Sequence, residues 1–252
     1  MHYFFLKGES LVSGAEVNLA SRDINHAFKV LRLRPGDNLV IADGLGLSRE
    51  GEVVISTSSE VLVRLGSKLP NSESPLNITL FQSLTKGDKM DLIVRQAVEL
   101  GVNRIVPFKS ERSIPQRNEK QDQKRIERWC SKVRSAAAQC RRAYLPDVEP
   151  VSSFKHILPR IGNVKAFVPW EREKAVSLAG LLKQPCPTGK AVFLFVGPEG
   201  GFEKSEIEAL QEAGAEAVHL GPRVLRTETA AAAAIALVQS AWGDLAGEGV
   251  NV

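Results

Sequence analysis

Two glycine-containing segments in the second half of the chain carry the residue types best suited to hold a ligand. The first is Val196-Gly-Pro-Glu-Gly-Gly201, and the second spans residues 220–230 with the sequence LGPRVLRTETA. Because glycine has no Cβ, backbone N–H groups in such segments can approach a bound molecule closely. Neither segment has the spacing of a dinucleotide-binding loop or a P-loop, so neither of those nucleotide sites is supported. An ordinary strand–helix connection is the alternative interpretation of the first segment.

The second segment also contains polar side chains that could take part in chemistry. Thr227 or Thr229 could simply cap a helix, with Glu228 in its first turn. Arg226 has no comparable structural role. A cation between two apolar elements usually needs an anionic or electron-rich partner, which a ligand or RNA would supply.

Both segments follow predicted strands, which would bring them to one edge of a sheet. Residues 191–196 are continuously apolar, as expected of a strand buried on both faces. The alternation of strands and helices after residue 75 predicts a mostly parallel sheet with helices on both sides. Such sheets bind ligands at the carboxyl ends of their strands. The other strands are predicted at 78–81, 104–108, 164–168 and 217–220, and the helices at 90–100, 202–213 and 229–242.

The first 65 residues show a different pattern, that of short strands separated by turn signals. Strands are predicted at 38–43, 52–55 and 60–65, and Asp43-Gly44 predicts a turn. One helix, with Ile24, Phe28 and Leu31 on its apolar side, ends at Arg34-Pro35. The polar stretch 66–75 predicts a boundary. We therefore predict two domains, a small β-barrel-like domain at 1–70 and an α/β domain at 76–248.

The composition excludes several classes of protein. With 252 residues, 43% hydrophobic and 25% charged, the chain has the composition of a globular protein rather than a disordered or disulfide-rich one. The N-terminus lacks the features of a signal peptide, and the longest uncharged stretch is shorter than the ~20 residues of a membrane span. Cys130 and Cys140 would lie about 15 Å apart on one helix, too far for a disulfide. We expect a cytoplasmic protein with no metal site.

Positive charge is concentrated in the middle of the chain, where residues 84–144 contain 15 basic and 7 acidic side chains. A segment this basic predicts a polyanionic partner. Several of the cations recur every three or four residues and would form one stripe on a helix. The alternative is a solvated helix face partly paired with Glu119, Asp122 and Glu127. The stripe comprises Arg117, Lys120, Lys124, Arg128 and Lys132, and Arg134, Arg141 and Arg142 follow it.

The ordered set of motifs resembles the RsmE-type 16S rRNA (uracil-N3) methyltransferases of the SPOUT superfamily. The pair GPEGG and LRTETA carries most of the resemblance, and further blocks match the family in the same order over essentially the whole chain. These blocks are HAFKVLRLRPGD at 26–37, ADG at 42–44, KGDK at 86–89, QAVELG at 96–101, SER at 110–112 and QC at 139–140.

The resemblance implies an α/β fold with an N-terminal PUA-like β-barrel that helps to grip RNA and a C-terminal SPOUT domain with a deep trefoil knot. It also implies a homodimer, in which the alanine-rich last helix would pack closely. S-adenosylmethionine (SAM) would be the cofactor, held in the knot by three loops. In this sequence the loop residues are Pro169, Trp170, Val196, Gly197, Pro198, Glu199, Gly200, Gly201, Leu220, Gly221, Val224, Leu225, Arg226 and Thr227.

The reaction implied is methyl transfer to N3 of one uridine in the 16S rRNA of the small ribosomal subunit. Uridine N3 must lose its imide proton, and a cation near O2 or O4 would stabilise the developing anion. Arg226 is the first candidate for this cation and Arg112 the second, while Glu228 is a candidate base. RNA contacts are expected at His26, Arg32, Lys86, Lys124, Arg128, Arg141 and Arg142.

Some of these assignments have alternatives. His26 could cap a helix instead of contacting RNA, and His219, in a predicted strand, is expected to be a core histidine. Three other functions are weaker: a ribose 2′-O-methyltransferase of the same superfamily, a ribosome-assembly factor that binds RNA without catalysis, and a small-molecule methyltransferase. Failure to bind SAM would favour the assembly factor.

Overall fold

The computed structural model describes residues 1–71, 73–113 and 119–245, which form two compact units. The first unit comprises Met1–Glu73 and Arg134–Leu145, and the second comprises Ser74–Val133 and the chain from Pro146 onwards. Arg117 of the predicted stripe and the predicted domain end at 248 lie outside the described residues.

The first unit contains a five-stranded sheet over one apolar core. Strand order is β1-β3-β4-β5-β2, with β1 and β3 parallel and the other pairs antiparallel. The three predicted strands are present, but β1 and β2 were not predicted. The predicted helix is present, but only its first part, α1, is an α-helix, and it continues as a π-helix at His26–Val30. The bounds are β1 His2–Phe5, β2 Glu16–Asn18, α1 Ser21–Asn25, β3 Asn38–Ala42, β4 Ser48–Ser56 and β5 Val61–Lys68.

The second unit is built on a parallel sheet, as the alternating pattern predicts. Its strand order is β12-β10-β11-β6-β7-β8, and β9 pairs separately with β7. All of these pairings are parallel. The bounds are β6 Asn77–Ser83, β7 Arg104–Lys109, β8 Asp147–Val148, β9 Ser152–Ser153, β10 Lys165–Pro169, β11 Ala191–Val196 and β12 Ala215–Val218.

Helices cover both faces of this sheet. On one face Ile207 and Leu210 of α6 pack into a cluster with Phe81 and Phe195, whose rings stack 4.4 Å apart. α2 and α7 pack against each other, and α7 packs on β11. The bounds are α2 Lys89–Glu99, α3 Glu119–Cys140, α4 Phe154–Ile157, α5 Leu178–Leu181, α6 Lys204–Glu212 and α7 Thr227–Trp242, with a 3₁₀ turn at Leu158–Arg160.

The strand order determines where the functional segments meet. β10 lies between β11 and β12, and all three run in the same direction. The segments that follow them therefore emerge side by side at one edge of the sheet, where open α/β sheets bind ligands. No helix in the described part of the chain is long and apolar enough to cross a membrane.

Candidate active site

A cavity of about 380 Å³ lies at the carboxyl ends of β10, β11 and β12. Its volume falls within the usual range for small-molecule sites. The structure brings every residue expected to hold SAM into the wall of this one cavity. The wall consists of residues 169–171, 174, 196–202, 219–227 and 230, together with Lys89.

The loop after β11 requires glycine. Gly201 has φ +70°, and a Cβ built there would lie 3.0 Å from Oε1 of Glu171. At Gly197 a Cβ would lie 3.1 Å from the ring of Phe202. Side chains at these positions would therefore displace neighbours, and their absence leaves backbone facing the cavity.

Glu199 fixes this loop on one side. Its Oε1 accepts a hydrogen bond of 3.1 Å from the backbone N–H of Lys86 and lies 3.1 Å from Nζ of Lys89. Partial burial acts to raise the pKa of Glu199, but hydrogen bonds from its own backbone N–H, from Lys89 and from Lys86 outweigh burial and hold the pKa below its ordinary value. The KGDK turn and the GPEGG loop are thus joined by an ionised carboxylate.

Arg112 fixes the same loop on the other side. Its Nε donates to Oε1 of Glu203 at 2.6 Å, and its Nη1 donates to the carbonyl of Gly200 at 2.8 Å. The bond to Glu203 raises the pKa of Arg112 above its ordinary value. Arg112 is absent from the cavity wall. The geometry therefore gives this guanidinium a part in holding the loop, in contrast to the expectation that it faces the substrate.

The start of α7 supplies the third side of the site. Thr227 donates from Oγ1 to the carbonyl of Gly197 at 2.6 Å, which ties the start of α7 to the loop after β11. Arg226, at the N-cap, lies in the cavity wall and is exposed, and its guanidinium has no hydrogen-bond or ion-pair partner among the described residues. Glu228 lies outside the wall, and its Oε2 is buried without a hydrogen-bond partner in the described chain.

One residue of the wall lies in a different setting from the one predicted, and several others were not predicted. His219 follows β12 instead of lying in a strand, is half-buried and lines the cavity, where its Nδ1 accepts the N–H of Gly221 at 3.1 Å. The position of His219 directly before the LGPR motif is the sequence signal that could have placed it at the cavity. Lys89, Glu171 and Lys174 also line the cavity and were not predicted to do so.

The basic helix is partly paired within the second unit. Lys124 is exposed. Arg128 is also exposed but lies 2.9 Å from Asp91, and Lys132 lies 3.9 Å from the same carboxylate. Asp122 pairs with Lys109 at 3.0 Å, and among the described residues it forms no ion pair with the stripe. Part of the stripe therefore faces solvent, and part of it forms ion pairs with α2.

The remaining residues expected to contact RNA fall into two groups. His26, Arg32, Lys86 and Arg141 are exposed. The structure contradicts the expected RNA contact of Arg142. This residue is only 6% exposed, and its guanidinium donates to Oε2 of Glu73 at 2.8 and 2.9 Å. This arginine is used inside the first unit and is not presented at its surface.

Comparison with known protein families identifies both parts of the chain. A family described as an RNA methyltransferase domain matches residues 72–239, and one described as an RNA methyltransferase PUA domain matches residues 19–66. The fold thus consists of an N-terminal PUA-like domain and a C-terminal methyltransferase domain.

Individual relatives agree with this result. Ribosomal RNA small subunit methyltransferase E of Bacillus subtilis is 29% identical over 91% of each chain, and that of Mycobacterium tuberculosis is 34% identical over 84% of this chain and 82% of its own. The crystal structure of the Neisseria gonorrhoeae enzyme of the same name, bound to SAM, has a TM-score of 0.88, 37% identity, and coverage of 97% of this chain and 99% of its own. This chain belongs to the ribosomal RNA small subunit methyltransferase E family.

Proposed function

We propose that this protein transfers the methyl group of SAM to N3 of one uridine in the 16S rRNA of the small ribosomal subunit. The observation that carries the proposal is the single cavity into which all three expected SAM-binding loops converge. Membership of a family whose relatives are named as small-subunit rRNA methyltransferases supports the choice of substrate.

The residues of the cavity suit SAM. Bare glycine backbone at Gly197 and Gly201 allows close approach of a ligand, and the indole Nε1–H of Trp170 is buried without an acceptor in the described chain. Residues 196–201 and 220–227 would hold the cofactor mainly through backbone. When bound, SAM supplies a methyl group already activated on a sulfonium, so the protein needs to align the nucleophile and not to activate the methyl group.

Arg226 is the residue that we assign to the uracil ring. Its unpaired guanidinium in the cavity wall can donate to O2 or O4 and stabilise the negative charge that develops as N3 loses its proton. Arg112 is less suited to that role because its donors are used by Glu203 and Gly200. Glu228 remains the candidate base, at the first turn of the helix that Arg226 caps.

RNA would be held by exposed basic side chains in both units. The exposed members of the expected set are His26, Arg32, Lys86, Lys124, Arg128 and Arg141. We assign RNA gripping to a PUA-like barrel at 1–70, and catalysis to residues 76–248, with the chain threaded as a trefoil knot at the cofactor site. The protein would act in the cytoplasm, where small subunits are assembled.

A homodimer is also part of the proposal. One face of α7 carries half-buried small or apolar side chains at Ala232, Ala233, Ala236 and Leu237. Small side chains let two helices approach closely, so this face suits a second copy of the chain. Sedimentation at micromolar concentration would give twice the chain mass of 27.5 kDa, and a monomeric mass would remove the dimer from the proposal.

Methyl transfer from radiolabelled SAM tests the function. Small subunits from cells that lack this protein should accept label, whereas large subunits, and small subunits already modified, should not. Equal labelling of both subunits would contradict the assigned substrate. Binding to small subunits without binding of SAM would favour the non-catalytic assembly factor.

A further inference from the structure

A fully buried glutamine lies behind the cofactor loops without lining the cavity. Gln82 is the second-last residue of β6, is 0% exposed and is absent from the cavity wall. Its amide nitrogen donates to Oγ1 of Thr227 and to the carbonyl of Ser83, both at 3.1 Å. The carbonyls of Val196 and Gly197 lie slightly farther away, at 3.5 Å.

The number of available hydrogens sets the direction of these bonds. An amide NH₂ has two donor hydrogens, which match the two short contacts of Gln82. The hydroxyl of Thr227 has one hydrogen, which it donates to the carbonyl of Gly197 at 2.6 Å. Thr227 must therefore accept from Gln82 while it donates to Gly197. The amide of Gln82 orients the hydroxyl, and the hydroxyl holds the carbonyl.

This chain of bonds connects the two glycine-containing loops. Thr227 begins α7 at the end of one loop, and Gly197 begins the other, and both line the cavity. β6 is hydrogen-bonded along its length to β11, so Gln82 is held on the rigid part of the sheet. A rigid donor at this point fixes the separation of the loops before a ligand arrives.

Packing alone does not account for a glutamine here. Gln82 keeps an amide oxygen, Oε1, that is buried without a hydrogen-bond partner in the described chain. An unsatisfied buried polar atom is unfavourable, and an apolar side chain of similar size would avoid it. The residue is therefore better explained by what its NH₂ group holds than by the volume it fills.

We propose that Gln82 is a positioning residue for methyl transfer, which holds the Val196–Gly201 and Leu220–Thr227 loops at the spacing SAM requires through the hydroxyl of Thr227. The inference rests on the proposed function in that it takes SAM as the ligand of the cavity. Gln82 itself would contact neither SAM nor RNA.

Gln82→Met tests this role, and Gln239→Met is its matched control. Gln239 is equally buried, lies in the same unit and bonds Leu100 and Ser74, but it is three turns along α7 from Thr227 and outside the cavity wall. Calorimetric titration with SAM should show about tenfold weaker binding for Gln82→Met, the effect expected for one lost hydrogen bond. Gln239→Met should bind SAM as the wild type does, even where its Tm falls equally.

Steady-state kinetics separates positioning from general damage. In Gln82→Met the KM for SAM should rise while the KM for small subunits stays within a factor of about two. Gln82→Glu keeps the shape but removes the donor, so the Thr227 hydroxyl would turn to the carboxylate and release Gly197. This variant should weaken SAM binding at least as much as Gln82→Met.

The Thr227→Ser and Thr227→Val pair tests the same bonds even where Gln82 variants fail to fold. Serine keeps the hydroxyl, so Thr227→Ser should retain most of the SAM affinity. Valine has no hydroxyl, so Thr227→Val should bind SAM more weakly. Adding Gln82→Met to Thr227→Val should weaken SAM binding little further, because the hydrogen bonds from Gln82 through Thr227 to Gly197 are already broken. If Gln82→Met binds SAM as tightly as the wild type or Gln239→Met does, the inference is overturned and the proposed function is not affected. Absence of SAM binding by the wild-type protein would overturn the proposed function and the inference together.

Discussion

The carboxylate of Glu203 accepts a 2.6 Å hydrogen bond from Nε of Arg112, whose Nη1 also donates to the carbonyl of Gly200 at 2.8 Å. The turn after β7 is thereby attached to the loop after β11. With Glu199 joined to Lys86 and Lys89, the GPEGG loop is held from two sides by charged groups. The preorganised position of this loop depends on side chains that lie largely outside its own sequence.

Arg112→Lys should raise the KM for SAM several-fold and leave kcat at saturating SAM near the wild-type value. Lysine keeps the charge but cannot make the two divergent hydrogen bonds of the guanidinium. Initial rates over a range of SAM concentrations would measure the effect. Arg95→Lys is the control, because within the described part of the chain the side chain of Arg95 makes a single 3.9 Å ion pair, with Glu99. A large fall in kcat with unchanged KM would instead assign Arg112 to the reacting uracil.

Glu199→Gln should make thermal stability less dependent on pH on the acid side. The pKa of Glu199 is lower in the folded protein than its ordinary value. Its ionised form therefore stabilises the fold above the ordinary pKa of about 4.3, and this contribution is lost as the pH falls through the folded-state value. The Tm difference between wild type and variant should be constant near neutral pH and shrink below about pH 4. A difference that grows on acidification would contradict the assignment.

Arg226→Ala should lower kcat by about 10²–10³-fold, the usual effect of removing a donor to a developing oxyanion. The affinity for SAM should change much less, because that loop is expected to bind the cofactor mainly through backbone. Single-turnover rates and calorimetry would separate the two quantities. Arg226→Lys retains the charge and should fall between wild type and alanine. A variant with normal kcat and weak SAM binding would make Arg226 a cofactor ligand only.

Lys124→Ala and Arg128→Ala should differ, although both residues belong to the same predicted stripe. Lys124 is exposed, and its loss should reduce the slope of log K for RNA against log salt by about 0.7–0.9 unit per phosphate contact. Arg128 is paired with Asp91, so its loss should lower Tm and change the slope less. Filter binding at four salt concentrations would measure the slopes. Identical slopes for Lys124→Ala and wild type would remove this lysine from the RNA surface.

Local sequence patterns predict those elements whose own apolar residues are sufficient to indicate a buried strand or helix. β11 begins and ends at the predicted residues, because six apolar residues in a row are typical of a strand inside a parallel sheet covered on both faces. α7 begins two residues before the predicted start, at Thr227. β1 and β2 were missed because such short strands depend on pairing with β3 and β5, which are distant in sequence.

The parts of the site that could not be predicted depend on tertiary neighbours. Arg142 belongs to a basic segment by sequence, yet Glu73 removes it from the surface. Gln82 lies just beyond the predicted strand 78–81, and only the arrangement of β6, β11 and α7 shows what its amide contacts. The strand order that brings the three loops together is likewise absent from any local pattern.

Mapping the methylated nucleotide tests the central claim most directly. Small subunits from cells that lack this protein would be incubated with it and radiolabelled SAM, and the labelled rRNA would be digested and sequenced. We expect label on N3 of one uridine in 16S rRNA, and loss of that label with Arg226→Ala. Label on a ribose 2′-oxygen would retain the fold and contradict the chemistry, and the absence of label would contradict the assignment of this chain as the methyltransferase.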